Sequence, residues 1–260
     1  RFFFERAGGA FIKLGQILAL RHDLLPSAYT DELLNLLSRV EPLPYPKLRQ
    51  VCIDGLGAPP EEVFKRFDRR PIASASIAQV YRAELPSGQP VAVKIRRPGV
   101  VETFTNDFVV MAFLARWLHF FHLFRIWRLE DVVDEFVTWT SRELDFRIEA
   151  QNALVFHQHS AAHPRTVIPR VFPEYESDRV LVSEYWGDII SVEQLLHQPP
   201  PADLSIDVEE LADYFIFDSL RQYFVDGFFH ADPHPANLFV TRDGRLGYFD
   251  FGIIGQAGPE

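Results

Sequence analysis

The sequence predicts an α+β fold with helices at the start, a small sheet interrupted by a long helical region, and helices and a hairpin at the end. Three observations predict this fold. Leucines recur at helical spacing through the first 40 or so residues, and residues 76–95 alternate as two strands around a turn. Asp243 and Gly244 separate two short apolar runs, which is a strong hairpin signal. A chain of 260 residues that is 47% hydrophobic can bury a substantial core.

The chain up to about residue 160 is expected to contain five parts in order. Helices occupy residues 1 to about 40 with a break at Pro26, and a proline-rich connector follows at 41–46. Two short helices come next, the second opened by the sequence PPEEVFKRF. The hairpin of 76–95 then leads into helices over roughly 103–160.

The second half returns to strand character before a last helix. TVIPRVF and RVLVSEY are predicted strands, and the sequence WGD ends the second one. Residues 208–227 predict a helix with a wide apolar stripe and Gly227 at its end. The hairpin around Asp243 and Gly244 closes the chain. The order of elements is typical of α+β proteins.

Composition restricts the possible partners. The formal charge of −10 argues against nucleic acid as a partner, because phosphate neutralisation needs a basic surface. The single cysteine, Cys52, excludes an internal disulfide and a multi-cysteine metal site. No signal peptide is visible and the chain begins at Arg1 without an initiator Met, so we expect a piece of a longer protein, and any targeting or membrane segment would lie outside these residues.

Residues 108–127 are the most lipid-like stretch of the chain. The stretch is long enough to span a bilayer, but two arginines and two histidines interrupt it. A buried aromatic helix is the favoured interpretation, and a helix lying on a membrane surface is the alternative. A membrane span is disfavoured.

Lys94 stands in the middle of the apolar strand VAVK. Burying an ammonium group is costly unless an anion faces it. An edge strand with Lys94 in water is one interpretation, and a lysine held in a cleft to meet phosphate is the sharper one. The following helix, SRELDFRIEAQN, offers Glu143, Asp145 and Glu149 as partners, although a solvated acidic face would give the same pattern.

The sequence HADPHPAN, residues 230–237, combines two histidines with Asp232 and Asn237. A metal cage is disfavoured, because the prolines hold the run off a helix and no i,i+4 ligand pair forms. The interval from Asp232 to Asn237 equals that of the kinase catalytic loop, where Asp orients the acceptor and Asn holds a metal. A DFG sequence follows at Asp250, and the kinase DFG aspartate binds magnesium.

Two features depart from ordinary protein kinases. Where a glycine-rich loop should precede the first strand, the chain has Ala73, Ser74, Ala75 and Ser76, whose Cβ atoms keep phosphate further from the backbone. The other feature is the sequence KLGQ near the N-terminus, at residues 13–16.

Together these residues resemble the UbiB (AarF) atypical kinases of coenzyme Q metabolism. The N-terminal Lys-x-Gly-Gln motif of that family matches Lys13, Gly15 and Gln16, and its alanine-rich loop matches residues 73–76. Its Glu-x-Asp motif matches Glu143 and Asp145. One departure is Ala236, where the family often has Gly. The ending is another, since a kinase C-lobe continues well past DFG.

The resemblance implies a protein-kinase-like, two-lobed fold with an N-terminal helical extension and a truncated C-lobe. We expect the extension at 1–70, the N-lobe with its helical insert at 71–187 and the partial C-lobe at 188–260.

The resemblance also implies a site for ATP and Mg²⁺. Lys94, paired with Glu149, and the alanine-rich loop would contact the nucleotide, and Asn237 and Asp250 would hold Mg²⁺. Asp232 would be catalytic. Lys13, Gly15 and Gln16 would lie over the cleft, with Lys13 meeting Glu143 and Asp145.

The implied function is a kinase-like ATPase or small-molecule kinase in ubiquinone or isoprenoid lipid metabolism, with little protein kinase activity in trans. Its expected partners are ATP or ADP, membrane lipid or a quinone precursor, and ubiquinone-pathway enzymes. The full-length protein is expected on the cytoplasmic side, associated with a membrane. Two alternatives stay open, namely a non-catalytic nucleotide-binding scaffold and an aminoglycoside- or choline-type phosphotransferase.

Overall fold

The computed structural model describes residues 1–19, 25–37, 41–120, 129–198 and 206–258. The chain is a mixed helix and strand protein, as predicted. Within the described residues, the strands form a four-stranded antiparallel sheet, a second four-stranded sheet and a two-stranded ribbon.

The N-terminal segment is helical. Its helices are α1 (Phe2–Ala7), α2 (Gly9–Ala19) and α3 (Ser27–Leu34), followed by a 3-10 turn, Asn35–Leu37. Pro26 directly precedes α3, where the sequence predicted a break. The first turn of α2 is attached to a later helix, since the Ala10 backbone N–H donates to the Asp107 carboxylate at 2.8 Å.

The connector ends at Pro44, and two helices follow, α4 (Tyr45–Leu56) and α5 (Pro60–Val63). Each has proline in its first turn. Proline lacks a backbone N–H, and this costs no hydrogen bond there, because N–H groups of the first turn have no acceptor within the helix. Gly57 ends α4 in the left-handed conformation, with φ 80°.

The first sheet has the order β1-β2-β3-β5. Its strands are β1 (Arg66–Ser74), β2 (Ala78–Glu84), β3 (Pro90–Arg96) and β5 (Val180–Glu184), with β4 (Thr166–Val167) placed elsewhere. Val91, Val93 and Ile95 of β3 are fully buried on one face, in a core shared with α4. The alternation therefore directs Lys94 to the opposite face.

Between β3 and β4, the residues that the structure describes form three helices. They are α6 (Val100–Phe120), α7 (Leu129–Glu143) and α8 (Phe146–Ser160), so the predicted helical region is confirmed where it is described. The prediction of a buried helix at 108–127 is wrong for its described part. Met111 and Ala115 are buried, but Val109, Phe113 and Trp117 are at least half exposed. Across the described residues, no helix combines the length and hydrophobicity needed to cross a bilayer.

The second sheet has the order β4-β9-β8-β6. Its remaining strands are β6 (Ile189–Ser191), β8 (Leu238–Thr241) and β9 (Leu246–Tyr248). β8 and β9 form the predicted hairpin, with Gly244 at φ 77° in its turn. The strand expected over TVIPRVF is reduced to β4 and an isolated bridge at Val171.

The last two helices precede residues 230–237, which we call the catalytic loop after its predicted role. Short α9 (Val192–His197) precedes α10 (Val208–Arg221), and the Asp207 side chain caps α10 by accepting from the Glu209 and Glu210 N–H groups. A π-helical turn, Gln222–Asp226, continues it to Gly227. The ribbon of β7 (Phe228–His230) and β10 (Ile254–Gln256) was not predicted, because three-residue runs carry little periodicity.

One core joins α8 to the second sheet. It contains Phe146, Ala150 and Phe156 from α8 together with Leu238 and Tyr248 from the sheet. Phe251 of the DFG sequence is buried in the same core. Packing of α8 therefore sets where the residues around Phe251 lie.

Gly247→Ala tests the packing of the second sheet. A Cβ at Gly247 would lie 2.1 Å from Cζ of Phe239, whose ring is buried and stacks on Phe249. We expect a loss of about 2–3 kcal/mol in the free energy of unfolding, the usual range for overpacking. Gly258→Ala is the control, because nothing lies within 4 Å of that Cβ. Urea unfolding of both variants gives the measurement, and equal stability of the two would contradict the tight packing.

Candidate active site

The site is built around Lys94 in the centre of the first sheet. Its Nζ lies 2.8 and 2.7 Å from the two carboxylate oxygens of Glu149 on α8. The ammonium also lies 5.3 Å from the centre of the Phe146 ring. The side chains of Lys94 and Glu149 are largely buried, at 17% and 7% exposure. The predicted ion pair is therefore present, and the edge-strand interpretation is wrong, since β3 pairs with β2 and β5.

Asp250 is the second anion beside Lys94. Its Oδ2 lies 3.5 Å from Nζ of Lys94, and its Oδ1 accepts from the Gly252 N–H at 3.2 Å. Asp250 has φ 55°, the left-handed region that non-glycine residues seldom occupy. The side chain is half exposed, unlike that of Glu149. Its carboxylate is consequently available to a ligand.

Lys13 brings a second cation to the same place. Its Nζ lies 2.7 Å from Oε2 of Glu143, the last residue of α7. The predicted contact of Lys13 with Asp145 is wrong. Asp145 instead caps α8 by accepting from the Arg147 N–H, and its carboxylate pairs with the Arg147 guanidinium. A carboxylate just before a helix is more useful as a cap than as a distant partner, because the first N–H groups lack intrahelical acceptors.

Gly15 and Gln16 face away from the charged side chains. A Cβ at Gly15 would lie 2.5 Å from the Leu36 side chain, and the Gln16 amide donates to the Leu36 carbonyl at 2.8 Å. These two residues hold α2 against the 3-10 turn. Within the Lys-x-Gly-Gln motif, Lys13 is the residue that reaches the candidate site.

The five charged groups leave one negative charge in excess. Three carboxylates (Glu143, Glu149 and Asp250) share two ammonium groups, those of Lys13 and Lys94. Burial raises the pKa of Glu149 to about 7, and Lys94 only partly offsets this. Burial also raises the pKa of Glu143 against the effect of Lys13. For Asp250, burial works in the same direction, but Lys94 and Lys13 outweigh it and lower the pKa.

The catalytic loop is held by hydrogen bonds from both histidines. His230 is buried, its Nδ1 accepts from the Asp232 N–H at 3.3 Å, and its Nε2 lies 3.0 Å from the Phe249 carbonyl. Nε2 therefore carries the proton and donates. His234 Nδ1 accepts from the Ala236 N–H and caps a short 3-10 turn. With these bonds made, the metal-cage interpretation of HADPHPAN finds no support.

Asn237 and Asp232 are linked directly. The Asn237 side-chain N–H₂ lies 3.1 Å from the Asp232 carbonyl and 3.4 Å from its Oδ2. The Asn237 carbonyl accepts from the Phe249 N–H at 2.7 Å, one residue before Asp250. The loop and the DFG segment are thereby joined, and the side-chain oxygen of Asn237 remains the atom suited to a metal.

The alanine-rich residues lie at the turn between β1 and β2. Ala73 and Ser74 end β1, a strand that was not predicted, and pair with Val80 and Gln79. Ala75 and Ser76 form the turn, where the Ala75 N–H donates to the Ala78 carbonyl at 2.9 Å. The strand β1, whose register with β2 shifts between Pro71 and Ala73, therefore extends into the segment that was expected to be a loop.

Other contributors were missed or misread from the sequence. Asn152 on α8 was not singled out from the sequence, and its amide donates to the Phe251 carbonyl at 2.8 Å. Asp218 on α10 is completely buried and accepts from Tyr248, Arg221 and Gln222. Gln222 in turn accepts from the His230 N–H at 3.1 Å. In the sequence, the available signal for this network was the presence of polar residues along the apolar stripe of the predicted helix, since such residues need partners when they are buried.

The donor set fits magnesium with a nucleotide. Among the described residues, no three His, Cys, Asp or Glu side chains converge as a metal cage. Magnesium does not need one, because it typically binds one or two carboxylates with substrate phosphates and water. Asp250 and Asn237 would supply protein oxygens, and Lys94 would meet phosphate.

The family model that describes the ABC1 atypical kinase-like domain matches residues 35–260. The chain belongs to this family. The expected resemblance to UbiB and AarF proteins is confirmed, and so is the kinase-like class of the fold.

Relatives in the ABC1 family come from plants and bacteria. ACTIVITY OF BC1 COMPLEX KINASE 1, a chloroplastic protein of Arabidopsis thaliana, is 37% identical over 251 residues, 95% of this chain and 36% of the relative. The probable protein kinase UbiB of Marinobacter nauticus is 35% identical over 272 residues, 98% of this chain and 47% of the relative.

A solved structure, that of Rv3197 from Mycobacterium tuberculosis in complex with erythromycin, matches with a TM-score of 0.69 at 30% identity. The match covers 98% of this chain and 64% of that one. The chain spans less than two thirds of the length of each of these three proteins.

Glu149→Gln tests the excess negative charge. The Glu149 carboxyl ionises near pH 4.5 in the unfolded chain and near 7 in the folded one, so the folded state retains its proton longer. The wild type should therefore lose about 1–3 kcal/mol of stability relative to Glu149→Gln as the pH rises from about 5 to about 8. Urea unfolding across this range gives the difference. Glu102→Gln, at an exposed position on α6, is the control, and parallel pH profiles for wild type and Glu149→Gln would show that the site carries no buried excess charge.

Proposed function

We propose that the protein is a magnesium-dependent, kinase-like ATPase or small-molecule phosphotransferase. The observation that carries the proposal is the pairing of Lys94 with both Glu149 and Asp250. A buried lysine between a helical carboxylate and the DFG aspartate is the arrangement required to hold nucleotide phosphates in kinase-like enzymes. The catalytic loop is hydrogen-bonded to the same DFG segment through Asn237 and His230.

Each residue has a distinct role in this proposal. Lys94 binds phosphate oxygens, and Glu149 keeps its ammonium in place. Asp250 and the Asn237 side-chain oxygen hold Mg²⁺, which neutralises charge on the phosphates when bound. Asp232 orients a water molecule or an acceptor hydroxyl. The bonds from Asn237 to Asp232 restrict where that carboxylate lies.

The acceptor is proposed to be water or a small molecule. The Lys13–Glu143 pair brings α2 to the charged site, in the region where a protein substrate of a kinase would dock. Protein kinase activity in trans is therefore disfavoured. UbiB in the name of one relative supports a role in ubiquinone or isoprenoid lipid metabolism, and the erythromycin complex of Rv3197 shows that a kinase-like neighbour holds a small molecule.

Membrane association on the cytoplasmic side is proposed for the full-length protein. The exposed apolar side chains of α6, including Val109, Phe113 and Trp117, support contact with a lipid surface. Membrane lipid, a quinone precursor or ubiquinone-pathway enzymes are the proposed partners besides ATP and ADP.

Nucleotide binding is tested by thermal shift on the full-length protein with Mg-ATP, Mg-ADP or no nucleotide. Ligand at about 100 times its dissociation constant should stabilise the wild type by roughly 2.7 kcal/mol. Asp250→Asn should abolish the shift, because it removes the half-exposed anion that would hold the metal. Asp213→Asn, at an exposed position on α10, is the control. Absence of a shift in the wild type would reject the nucleotide site.

Turnover is tested with Asp232→Asn. This variant should keep the nucleotide-induced shift and lose about 10²- to 10⁴-fold in phosphate release, the usual effect of losing a positioned base. Phosphate release and transfer to quinone precursors, aminoglycosides, choline and erythromycin would be measured in parallel. Undiminished turnover in Asp232→Asn would remove this residue from the mechanism. Binding without any turnover in the wild type would favour the scaffold function.

A further inference from the structure

Arg97 makes an unusual set of contacts just after β3. Its Nε donates to the Ala75 carbonyl at 2.8 Å, and its Nη2 donates to the Ser74 hydroxyl at 2.8 Å. Its backbone N–H donates to the Ile77 carbonyl, also at 2.8 Å. Arg97 thus binds two alanine-rich residues, Ser74 and Ala75, and Ile77 just after them.

Beyond the packing of Ile77 and Ala78 against the core, the backbone of the turn makes few hydrogen bonds of its own among the described residues. The bond from the Ala75 N–H to the Ala78 carbonyl closes it, and the pairing of β1 with β2 stops at Ser74. Alanine Cβ atoms narrow the conformations open to the backbone but do not select one of them. A guanidinium that binds several acceptors at once can do so, because its N–H groups form a rigid planar fork.

The same guanidinium also holds the connector from the N-terminal helices. Nη2 of Arg97 donates to the Glu41 carbonyl at 2.9 Å. Two residues later, the Leu43 N–H donates to the side chain of buried Gln79 at 2.7 Å, so the connector is bound to β2 as well. Arg97 therefore joins β3, the alanine-rich turn and the connector.

We propose that Arg97 is a positioning residue that fixes the alanine-rich turn above the candidate nucleotide site and couples it to the N-terminal connector. Only the expected effect of Arg97 on nucleotide binding rests on the proposed function. Holding the turn in one position restricts the entry and exit of phosphates. Because the connector follows the N-terminal helices, the same contacts of Arg97 would also couple the turn to the helical segment that carries Lys13.

Hydrogen exchange in the nucleotide-free, full-length protein tests the structural part. We compare the wild type with Arg97→Gln, Arg97→Lys and Ser74→Ala, and use Arg70→Gln, an exposed arginine on β1, as the matched control. In Arg97→Gln, the peptide covering residues 73–78 should exchange about tenfold faster, since one net hydrogen bond is worth roughly that factor in an opening equilibrium. Arg97→Lys should resemble Arg97→Gln, because an ammonium cannot bridge the same acceptors. Ser74→Ala removes one acceptor and should show a smaller increase in the exchange rate.

Exchange as slow in Arg97→Gln as in the wild type would overturn the proposal. Ser74→Ala keeps the test valid if Arg97→Gln fails to fold, because it removes a single hydroxyl at the surface of the turn. Faster exchange in Arg70→Gln, equal to that in Arg97→Gln, would also overturn it, since the effect would then belong to the sheet as a whole.

Release of a fluorescent ADP analogue with Mg²⁺ tests the nucleotide part. Stopped-flow release should be about tenfold faster in Arg97→Gln than in the wild type, by the same hydrogen-bond argument. In turnover, KM for ATP should rise while kcat changes little, because in this proposal Arg97 acts on nucleotide binding and not on the acceptor or Asp232. Unchanged release with accelerated exchange would overturn the role toward nucleotide. Absence of binding in the wild type would instead reject the proposed function, and the exchange result would still decide the role of Arg97.

Discussion

The ion pair between Lys94 and Glu149 joins the first sheet to the helix that packs on the second sheet, and the rest of the candidate site depends on it. Lys94 belongs to the first sheet, and Glu149 belongs to α8, which packs against the second sheet. Neither charge could be buried alone, since removing one partner of such a pair typically costs several kcal/mol. The position of α8 relative to β3 is therefore constrained by electrostatics as well as by packing.

Several contacts at the site depend on that position. Asn152 lies one turn beyond Glu149 on α8 and donates to the Phe251 carbonyl, so the helix that pairs with Lys94 also holds the DFG segment. Phe251 is buried in the core that α8 shares with the second sheet. Asp250, whose backbone is left-handed, is held by these contacts of Phe251 and by the hydrogen bond that its carboxylate accepts from the Gly252 N–H. A strained residue persists only where its surroundings determine it fully, and this one carries the carboxylate that a metal would need.

The catalytic loop has its own support from α10. Asp218, completely buried, accepts hydrogen bonds from Tyr248 and Gln222, and Gln222 accepts from the His230 backbone. A carboxylate in the core is tolerated because its oxygens are satisfied, and Arg221 supplies the compensating charge. The loop is therefore positioned by a polar network within the protein and not only by its own prolines. Both the DFG segment and the loop reach the site already ordered.

The sequence alone predicted the residues of the candidate site and much of the order of elements. Lys94 in an apolar strand, the spacing of Asp232 and Asn237, and the DFG at Asp250 predicted a kinase-like site, because each residue type has few other uses in such a context. Local patterns also predicted the hairpin at Gly244 and the helices of residues 1 to about 40.

The tertiary structure decided which carboxylate met which lysine. Glu143 paired with Lys13, while Asp145, two residues later, became a helix cap, because α7 ends at Glu143 and α8 begins at Phe146, directly after Asp145. The strand β1, the exposed face of α6 and the contacts of Arg97 were likewise decided by the tertiary structure, since each depends on residues far apart in the chain.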